Sequence, residues 1–187
     1  MKYIPVNLET DRLRFRLITK SDFEAWLPFF SPDLNRHFLF LDADKTALEL
    51  CAFWFEKCLL RYEENRGGLN ALIDKTTGKM IGQCGILVQH IDGEPRLEVG
   101  YSILPGHRNK GYATEAAVAA KNYAFEHKMD LDFNNTMVSM IHVDNHDSEK
   151  VAIANGMTLE KTFTDFGDNR FHVYSQSRDE WLKKNGN

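Results

Sequence analysis

The stretch that decides the fold reads RNKGYATEA, residues 108–116. It follows a predicted strand at residues 97–104 and a break at Pro105-Gly106. After it, an alanine-rich pattern with helical spacing continues to about residue 127. The sequence therefore predicts a strand, a tight basic loop and the N-terminus of a helix in direct succession.

This succession is typical of an anion site. The first N–H groups of a helix have no partner within the helix, and the helix dipole favours negative charge there. Gly111 lets the backbone approach a ligand closely, while Arg108 and Lys110 add positive charge. The P-loop pattern G-x-x-x-x-G-K-[ST] and the dinucleotide pattern G-x-G-x-x-G are both absent. We therefore predict a phosphate-bearing ligand of another kind; the simpler alternative is a basic turn that only caps a helix.

The pattern that is present, R-x-x-G-x-A, resembles the acetyl-coenzyme A loop of the GNAT superfamily of N-acetyltransferases, Q/R-x-x-G-x-G/A. The longer run, Glu98-Val99-Gly100-Tyr101, then Pro105, then 108–116, is similar to the RimJ/RimL type, which acetylates the N-termini of ribosomal proteins.

Two further segments carry the same resemblance in the same order. Residues 8–16, LETDRLRFR, are similar to the opening strand E-T-x-R-L-x-L-R of that type, and residues 145–157 resemble its N-x-x-S…G-F segment. Met157 replaces the usual aromatic residue, and Asn109 stands where many relatives have Gly. The three segments span most of the chain, and residues 29–66 match least.

The bulk properties indicate an ordinary globular protein. A length of 187 residues, with 43% hydrophobic and 27% charged residues, is consistent with one domain covering residues 1–187. The net charge of −4 argues against a strongly electrostatic nucleic-acid binder, and no apolar run is long enough for a membrane span. Three cysteines without a C-x-x-C pair argue against disulfides or a zinc site, so a cytoplasmic setting is expected.

The periodicity along the chain predicts an α/β (α+β) fold. A mixed, mostly antiparallel sheet of about seven strands should have helices on both faces. Predicted helices include residues 19–29, 45–64 and 147–155, with Leu48, Cys51, Ala52, Phe55, Leu59 and Tyr62 as the apolar stripe of the second. The GNAT resemblance adds that the fourth and fifth strands splay apart and that the pantetheine arm of the ligand enters the gap.

The resemblance implies a set of residues that bind acetyl-coenzyme A as the cofactor. One group lies at the end of the strand before the loop, a second in the loop and first helical turn, and a third at the start of the later helix. These are Tyr101, Ser102, Ile103, Arg108, Asn109, Lys110, Gly111, Tyr112, Ala113, Thr114, Asn145 and Ser148. For Arg108 the alternative is an ordinary surface charge, and for Asn145 a helix cap.

Glu98 and Ser148 are the predicted catalytic residues. Glu98 could take the proton of the attacking amine or bind its ammonium form, and the alternative is a structural carboxylate paired with Arg96. The resemblance places Ser148 near the sulfur, where its hydroxyl could donate to the departing thiolate. Tyr174 and Tyr123 remain alternatives as the acid.

The acceptor site is predicted around the first two helices. Aromatic and acidic side chains suit a cationic amine, and Phe29, Phe30, Phe38 and Glu98 are the candidates. Trp26, Asp33, Phe40, Asp42 and Asp44 lie in the same stretches. Core packing and helix capping are the alternatives for each of them. No residue cluster has metal-ligand spacing, so no metal is expected.

The GNAT resemblance implies acetyl-coenzyme A-dependent N-acetylation of a primary amine by direct transfer within a ternary complex. The three cysteines fit buried packing positions, in line with a route that has no acyl-enzyme. The acceptor is a protein N-terminus or a small amine, and the chain is a monomer or homodimer with no nucleic-acid or membrane partner. Two alternatives remain: a non-catalytic acyl-coenzyme A-binding or partner-docking protein of the same fold, and a nucleotide-binding protein.

Overall fold

The structure is a computed structural model that describes residues 2–31, 41–42 and 44–185. The regular elements in these residues include seven strands and five α-helices. The strands are β1 (Leu13–Leu17), β2 (Gly67–Asp74), β3 (Met80–Ile91), β4 (Glu94–Ile103), β5 (Thr136–His142), β6 (Thr158–Asp165) and β7 (Asn169–Ser177). The helices are α1 (Phe23–Trp26), α2 (Ala47–Glu63), α3 (Tyr112–Glu126), α4 (His146–Ala154) and α5 (Arg178–Asn185).

The strands form one sheet in the order β1-β2-β3-β4-β5-β7-β6. Neighbouring strands are antiparallel except β4 and β5, which are parallel. Helices α1 and α2 cover one face, and α3 packs on the other against β3 and β4. The predicted mixed, mostly antiparallel sheet of seven strands with helices on both faces is confirmed.

Helix α3 lies close to the sheet because its inner face is made of small residues. Ala116, Ala117, Ala120 and Ala124 are all completely buried, as the alanine pattern predicted. They pack in one cluster with apolar residues of β3 and β4, including Ile86 and Leu97. This close packing fixes the height of the α3 N-terminus above the C-terminal end of β4.

On the opposite face of the sheet, the structure of α1 and α2 differs from two predictions. In α2 the side chain of Leu48 is 58% exposed and Ala52 is also exposed, while Leu50, Cys58 and Arg61 are buried. The predicted stripe is correct at Cys51 and Phe55, which are buried, but wrong at Leu48 and Ala52, because Arg61 occupies a buried position where the pattern expects an apolar residue. The predicted helix at 19–29 is also broken, since a four-residue α1 is followed by a 3-10 turn, Leu27–Phe30, with Pro28 in its first positions.

Elements bounded by local signals were predicted more closely. Helix α4, predicted at residues 147–155, spans His146–Ala154 and ends before Gly156, whose φ of +83° is the left-handed geometry expected after a helix. Helix α5 has eight residues and follows β7 directly. Within the described ranges, none of the helices combines the length and the apolar character that a membrane span requires.

A buried ion pair joins the segment after α3 to the start of α5. The carboxylate of Asp130 is fully buried and accepts from Arg178 Nε at 2.9 Å, with a second bond from Nη2. Arg178 Nη2 also donates to the carbonyl of Phe125 at 2.7 Å. Because the carboxylate is shielded from water, the guanidinium depends on it for charge compensation.

We expect Asp130→Ala to destabilise the fold by about 3–5 kcal/mol, because it leaves a buried guanidinium unpaired. For a chain of this size that corresponds to a fall in Tm of roughly 10 °C in thermal unfolding. Asp132→Ala is the matched control, since Asp132 is exposed and pairs with Lys2 at the surface. Equal and small changes in the two variants would contradict this role for Asp130.

Candidate functional site

β4 and β5 lie side by side but separate after a single paired position. Their register contains one pair, Glu98 with Val138. One residue further along, the Ser139 hydroxyl donates to the carbonyl of Val99 at 3.0 Å, and beyond it β5 continues its pairing with β7. We call this separation, between Val99–Ile103 of β4 and Ser139–His142 of β5, the fork. The fork is the splay that the resemblance implied.

The edge of β4 inside the fork presents backbone groups. The N–H of Leu104 donates to the carbonyl of Ile81 at 2.9 Å, which puts the even-numbered residues of β4 in position to bond to β3. In an antiparallel pair this direction alternates, so the peptide groups of Tyr101 and Ile103 point into the fork. A ligand lying extended along β4 could bond to these groups as an additional strand would.

The loop that follows β4 ends in an open helix N-terminus. Asn109 and Gly111 both have left-handed backbone geometry, with φ of +58° and +78°. Gly111 is the N-cap of α3 and has no side chain to cap the helix, whose first backbone bond runs from the N–H of Glu115 to the Gly111 carbonyl at 3.0 Å. The N–H groups of Tyr112, Ala113 and Thr114 come before this first bond and therefore have no acceptor within the helix. They form the donor end of an anion site.

Residues from the N-terminal motif hold this loop in place. The Glu115 carboxylate accepts from the Thr10 hydroxyl at 2.5 Å and from the backbone and side chain of Arg12 at 3.0 and 2.6 Å. Arg12 Nη1 also donates to the carbonyl of Lys110 at 2.9 Å, and its guanidinium lies 4.3 Å from the centre of the Tyr112 ring. We call this set of contacts the Glu115 brace. The brace gives a structural role to residues 8–16, the segment that resembles the opening strand of the RimJ/RimL type, because Thr10 and Arg12 of this segment support the loop.

Arg108 turns toward the fork. Its Nε donates to the carbonyl of Ile103, the last residue of β4, at 3.1 Å. Burial lowers the pKa of Arg108 from its ordinary value, and the charge of Asp147 in the first turn of α4 acts in the opposite direction. The guanidinium is therefore at the entrance to the fork, half-buried between loop and helix.

Glu98 is a buried carboxylate at the base of the fork. It is 7% exposed, and its Oε1 accepts from the N–H of Met140 at 3.2 Å across the two strands. Burial raises the pKa of Glu98 above the ordinary carboxyl value, while the Met140 bond, a hydrogen bond from Gln89 and the charge of Arg61 act in the opposite direction. The suggested alternative pairing with Arg96 is wrong, because Arg96 forms a two-pronged pair with Glu160 of β6 at 2.9 and 2.8 Å.

The support of Glu98 from α2 was not predicted from the sequence. Arg61 is 4% exposed, and its Nη1 donates to the Oε1 of Gln89 at 3.3 Å, while its Nη2 donates to the carbonyl of Val88 at 2.8 Å. Gln89 thus accepts from Arg61 and donates to Glu98. The sequence did contain one indication of this support, since Arg61 lies on the same helical face as Leu50 and Cys58, which are buried.

The first turn of α4 brings Asn145 and Ser148 to the other side of the fork. Asn145 is the N-cap, and its Oδ1 accepts from the N–H of Ser148 at 3.2 Å. The capping interpretation therefore holds, and it leaves the Asn145 amide N–H groups for a ligand. The Tyr101 hydroxyl donates to the carbonyl of Ser148 at 2.8 Å, which ties β4 to this turn. Among the described residues, the Ser148 hydroxyl has no hydrogen-bond partner.

The two tyrosines considered as the acid have other partners. The Tyr174 hydroxyl donates to Glu149. Burial, as the larger cause, and the Glu149 carboxylate together raise the pKa of Tyr174 to about 12. Tyr123 accepts from the N–H of Val6 at 3.4 Å and stacks on His127. The Tyr174 hydroxyl is therefore committed to Glu149, and Ser148 stays the predicted acid, with Tyr123 as the remaining alternative.

The aromatic acceptor candidates are largely core residues. Phe29 is 4% exposed and stacks on Trp26 with ring centres 4.4 Å apart, and Phe30 is completely buried. The packing alternative therefore describes both phenylalanines. The candidate Phe38 lies outside the described residues, as do Asp33 and Phe40. Asp42 accepts from the N–H of Asp44 at 3.0 Å, so its carboxylate supports a local turn.

The cysteines lie in apolar surroundings. Cys51, Cys58 and Cys84 are buried and unpaired. Burial raises the pKa of Cys51 to about 11 and that of Cys58 to about 12, so thiolate nucleophiles are disfavoured. In the described ranges, no group of three or more His, Cys, Asp or Glu side chains is arranged to hold a metal ion.

Comparisons with a family model, with a relative and with a solved structure agree with one another. Residues 12–158 match the model of the Acetyltransferase (GNAT) domain. The uncharacterized protein YkkB of Bacillus subtilis (strain 168) is 33% identical over 159 residues, which are 83% of this chain and 87% of that protein. A crystal structure of the acetyltransferase from Agrobacterium tumefaciens str. C58 is 29% identical with a TM-score of 0.73, covering 92% of this chain and 94% of that chain.

Two structures of lower identity share the fold. RimL, a ribosomal L7/L12 alpha-N-protein acetyltransferase in complex with coenzyme A, has a TM-score of 0.70 at 18% identity, covering 95% of this chain and 99% of that chain. Spermidine N-acetyltransferase from Vibrio cholerae, in complex with coenzyme A and spermine, has a TM-score of 0.69 at 16% identity, covering 92% and 99%. The predicted resemblance to this superfamily is confirmed, with a protein of the RimL type among the structures of the same fold.

Proposed function

Because the chain belongs to the acetyltransferase (GNAT) family, we propose that it moves an acetyl group from acetyl-coenzyme A to a primary amine by direct transfer in a ternary complex. The observation that carries the proposal is the fork, which has an anion-binding loop at one end and a buried carboxylate at the other. The acyl donor supplies an activated acetyl group, and the residues of this chain hold both reactants and move the proton.

The loop fits the phosphate end of the donor. The N–H groups from Asn109 to Thr114 would bind the pyrophosphate, supported by the charges of Arg108 and Lys110. The open edge of β4 at Tyr101 and Ile103 would bind the pantetheine arm, whereas the peptide groups of the predicted Ser102 face β3. The amide N–H groups of Asn145, which have no partner among the described residues, would meet the arm from α4. The fit rests on groups that otherwise have no strand or helix partner.

Two residues would handle the protons. Glu98 at the base of the fork would take the proton of the amine, because its raised pKa makes it a stronger base than an ordinary carboxylate. Ser148 would donate to the sulfur as negative charge develops there, since its hydroxyl is uncommitted among the described residues. Both groups lie at the separation of β4 and β5, so they would act at one reacting centre.

The acceptor is a protein N-terminus or a small amine. RimL and the spermidine acetyltransferase, which share this fold, are named for one acceptor of each kind. The similarity of residues 8–16, 98–116 and 145–157 supports assignment to the RimJ/RimL type. The remaining expectations stay predictions: one domain over residues 1–187, a monomer or homodimer, a cytoplasmic location, and no nucleic-acid or membrane partner.

The experiment that tests the function is thiol release from acetyl-coenzyme A with a panel of amines and N-terminal peptides, followed by mass spectrometry of the product. Release that depends on an amine and yields the acetylated amine supports the proposal. Coenzyme A binding without turnover on any acceptor would favour the non-catalytic alternative. Protection by ATP or NAD instead of coenzyme A would favour a nucleotide-binding protein.

We expect Gly111→Val to weaken coenzyme A binding by roughly tenfold or more, because a β-branched residue cannot hold a φ of +78° without strain. Arg108→Ala should weaken it by roughly tenfold through the lost charge. Gly106→Ala is the control in the same segment, since an added Cβ there meets no atom within 4 Å. Calorimetry with unchanged affinity in both test variants would exclude the loop as the coenzyme A site.

Glu98→Gln should lower kcat by roughly 10²–10⁴-fold near neutral pH, because it removes the base while keeping the shape. Burial raises the pKa of Glu98, so wild-type activity should fall on the acid side at a higher pH than an ordinary carboxylate would give. The variant should recover partly at high pH, where neutral amine is abundant. Glu94→Gln, on the exposed start of the same strand, is the control.

The pH–rate profile separates two roles for this carboxylate. A rise in acceptor KM with little change in kcat would mean that Glu98 binds the ammonium and is not the base. A profile identical to the wild type in both parameters would remove Glu98 from the site.

Ser148→Ala should lower kcat by roughly 10–100-fold with nearly unchanged affinity for acetyl-coenzyme A, because the thiolate charge exists only late in the reaction. The backbone N–H of residue 148 still bonds to Asn145 in the variant, so α4 keeps its cap. Steady-state kinetics and calorimetry measure the two quantities. Wild-type turnover would show that the acid lies elsewhere.

A further inference from the structure

A second pocket lies at the far end of the helices that form the site. It has a volume of about 260 Å³ and is lined by α3, the end of α4, β7 and α5. Lys121 on its wall is nine residues along α3 from Tyr112, a distance of roughly 14 Å at the helical rise per residue. The pocket is therefore separate from the fork and from the loop.

A buried cation lines this pocket. Lys121 is 4% exposed, and its ammonium donates to the Oε1 of Gln176 at 2.5 Å. An ammonium has three N–H donors, so two remain after that bond. Within the described residues, no carboxylate lies within ion-pair distance of Lys121. Besides the Gln176 amide, the ammonium has only the face of the Phe125 ring at 5.9 Å among the described contacts. A buried charge with this support is expensive, and a mobile anion would compensate it.

Further donors converge on the same space. A Cβ built on Gly156 would lie 3.1 Å from the Nε2 of Gln176 and 3.5 Å from the Nζ of Lys184, so both nitrogens lie beside this glycine, Lys184 reaching it from an exposed position. Because the Oε1 of Gln176 is taken by Lys121, its amide N–H groups face the shared space. Glu180, one turn before Lys184 in α5, is held by the N–H and the hydroxyl of Ser177, both at 2.8 Å.

Asn155 supplies an independent sign of a missing partner. Asn155 is one of the residues that line the pocket and is 2% exposed, and neither polar atom of its side chain has a hydrogen bond within the described part of the chain. Buried amides in folded proteins are nearly always hydrogen-bonded, to protein or to a bound molecule. The two lysines, the Gln176 amide and Asn155 thus form a donor-rich pocket.

We propose that this pocket binds a small anion bearing a phosphate or carboxylate group, held by Lys121, Lys184 and the amide of Gln176. The site is independent of acetyl transfer. Burial, with the nearby charge of Lys184, lowers the pKa of Lys121 to about 8. A bound anion raises that pKa again, so binding near pH 8 takes up protons, and affinity falls as the pH rises through this value. Lys121 and Lys184 are the titratable groups on the pocket wall.

The test measures the Tm of the full chain against inorganic phosphate and, separately, citrate, at an ionic strength held constant with chloride. Lys121→Met and Lys184→Met remove one charge each and keep most of the side-chain stem. Lys183→Met is the matched control, because Lys183 is the exposed neighbour in α5 and does not line the pocket. Phosphate bound at the loop contributes equally to all four proteins, so the differences report on the pocket alone.

The wild type and Lys183→Met should respond alike, while both pocket variants bind the anion roughly tenfold more weakly. Without anion, Lys121→Met should be at least as stable as the wild type, since it removes a buried charge. Citrate affinity should fall between pH 7 and pH 9 in the wild type and stay level in Lys121→Met. A response to phosphate alone identifies a phosphate ligand, and one to citrate alone a carboxylate. Equal anion responses in all four proteins would overturn the proposal.

Discussion

Backbone hydrogen bonds must be satisfied, and the fork is the place where the sheet leaves them open. After the pair between Glu98 and Val138, the backbones of β4 and β5 are no longer paired with each other, although both continue as strands. An unpaired strand edge inside a protein needs another partner, and here the edge faces the loop that follows β4. The rest of the site is arranged around this open edge, with Arg108 at its entrance and Glu98 at its base.

The fold supplies that arrangement through packing on both faces. The alanine face of α3 lets its N-terminus come close to β4, and the Glu115 brace fixes the loop between them. On the opposite face, α2 buries Arg61 so that its guanidinium reaches Gln89 and, through it, Glu98. The carboxylate therefore lies in an apolar environment with a cation nearby, and the balance of these two effects sets its protonation.

The sequence predicted the features that are encoded locally. Glycine, proline and alanine between residues 105 and 124 specify a turn and a close-packed helix. Side-chain partners that depend on tertiary structure were not predicted. Arg96 pairs with Glu160, which lies 64 positions away beside an irregularity in β6, and Arg61 is a charged residue in a buried position. Arg61 was left out of the buried face of α2 for the same reason, because residue type alone does not reveal an arginine whose charge is satisfied by backbone carbonyls.

The Glu115 brace also bears on the entropy of ligand binding. Ordering one residue of a flexible loop costs roughly 1–2 kcal/mol of free energy. If a loop becomes ordered only when the ligand binds, this cost reduces the binding free energy. Here Thr10 and Arg12 hold the first turn of α3, and Arg12 holds Lys110 between two left-handed residues. This ordering is completed during folding of the chain. The N-terminal segment thus preorganises the loop, and the free energy of its contacts with an anion can appear almost entirely as affinity.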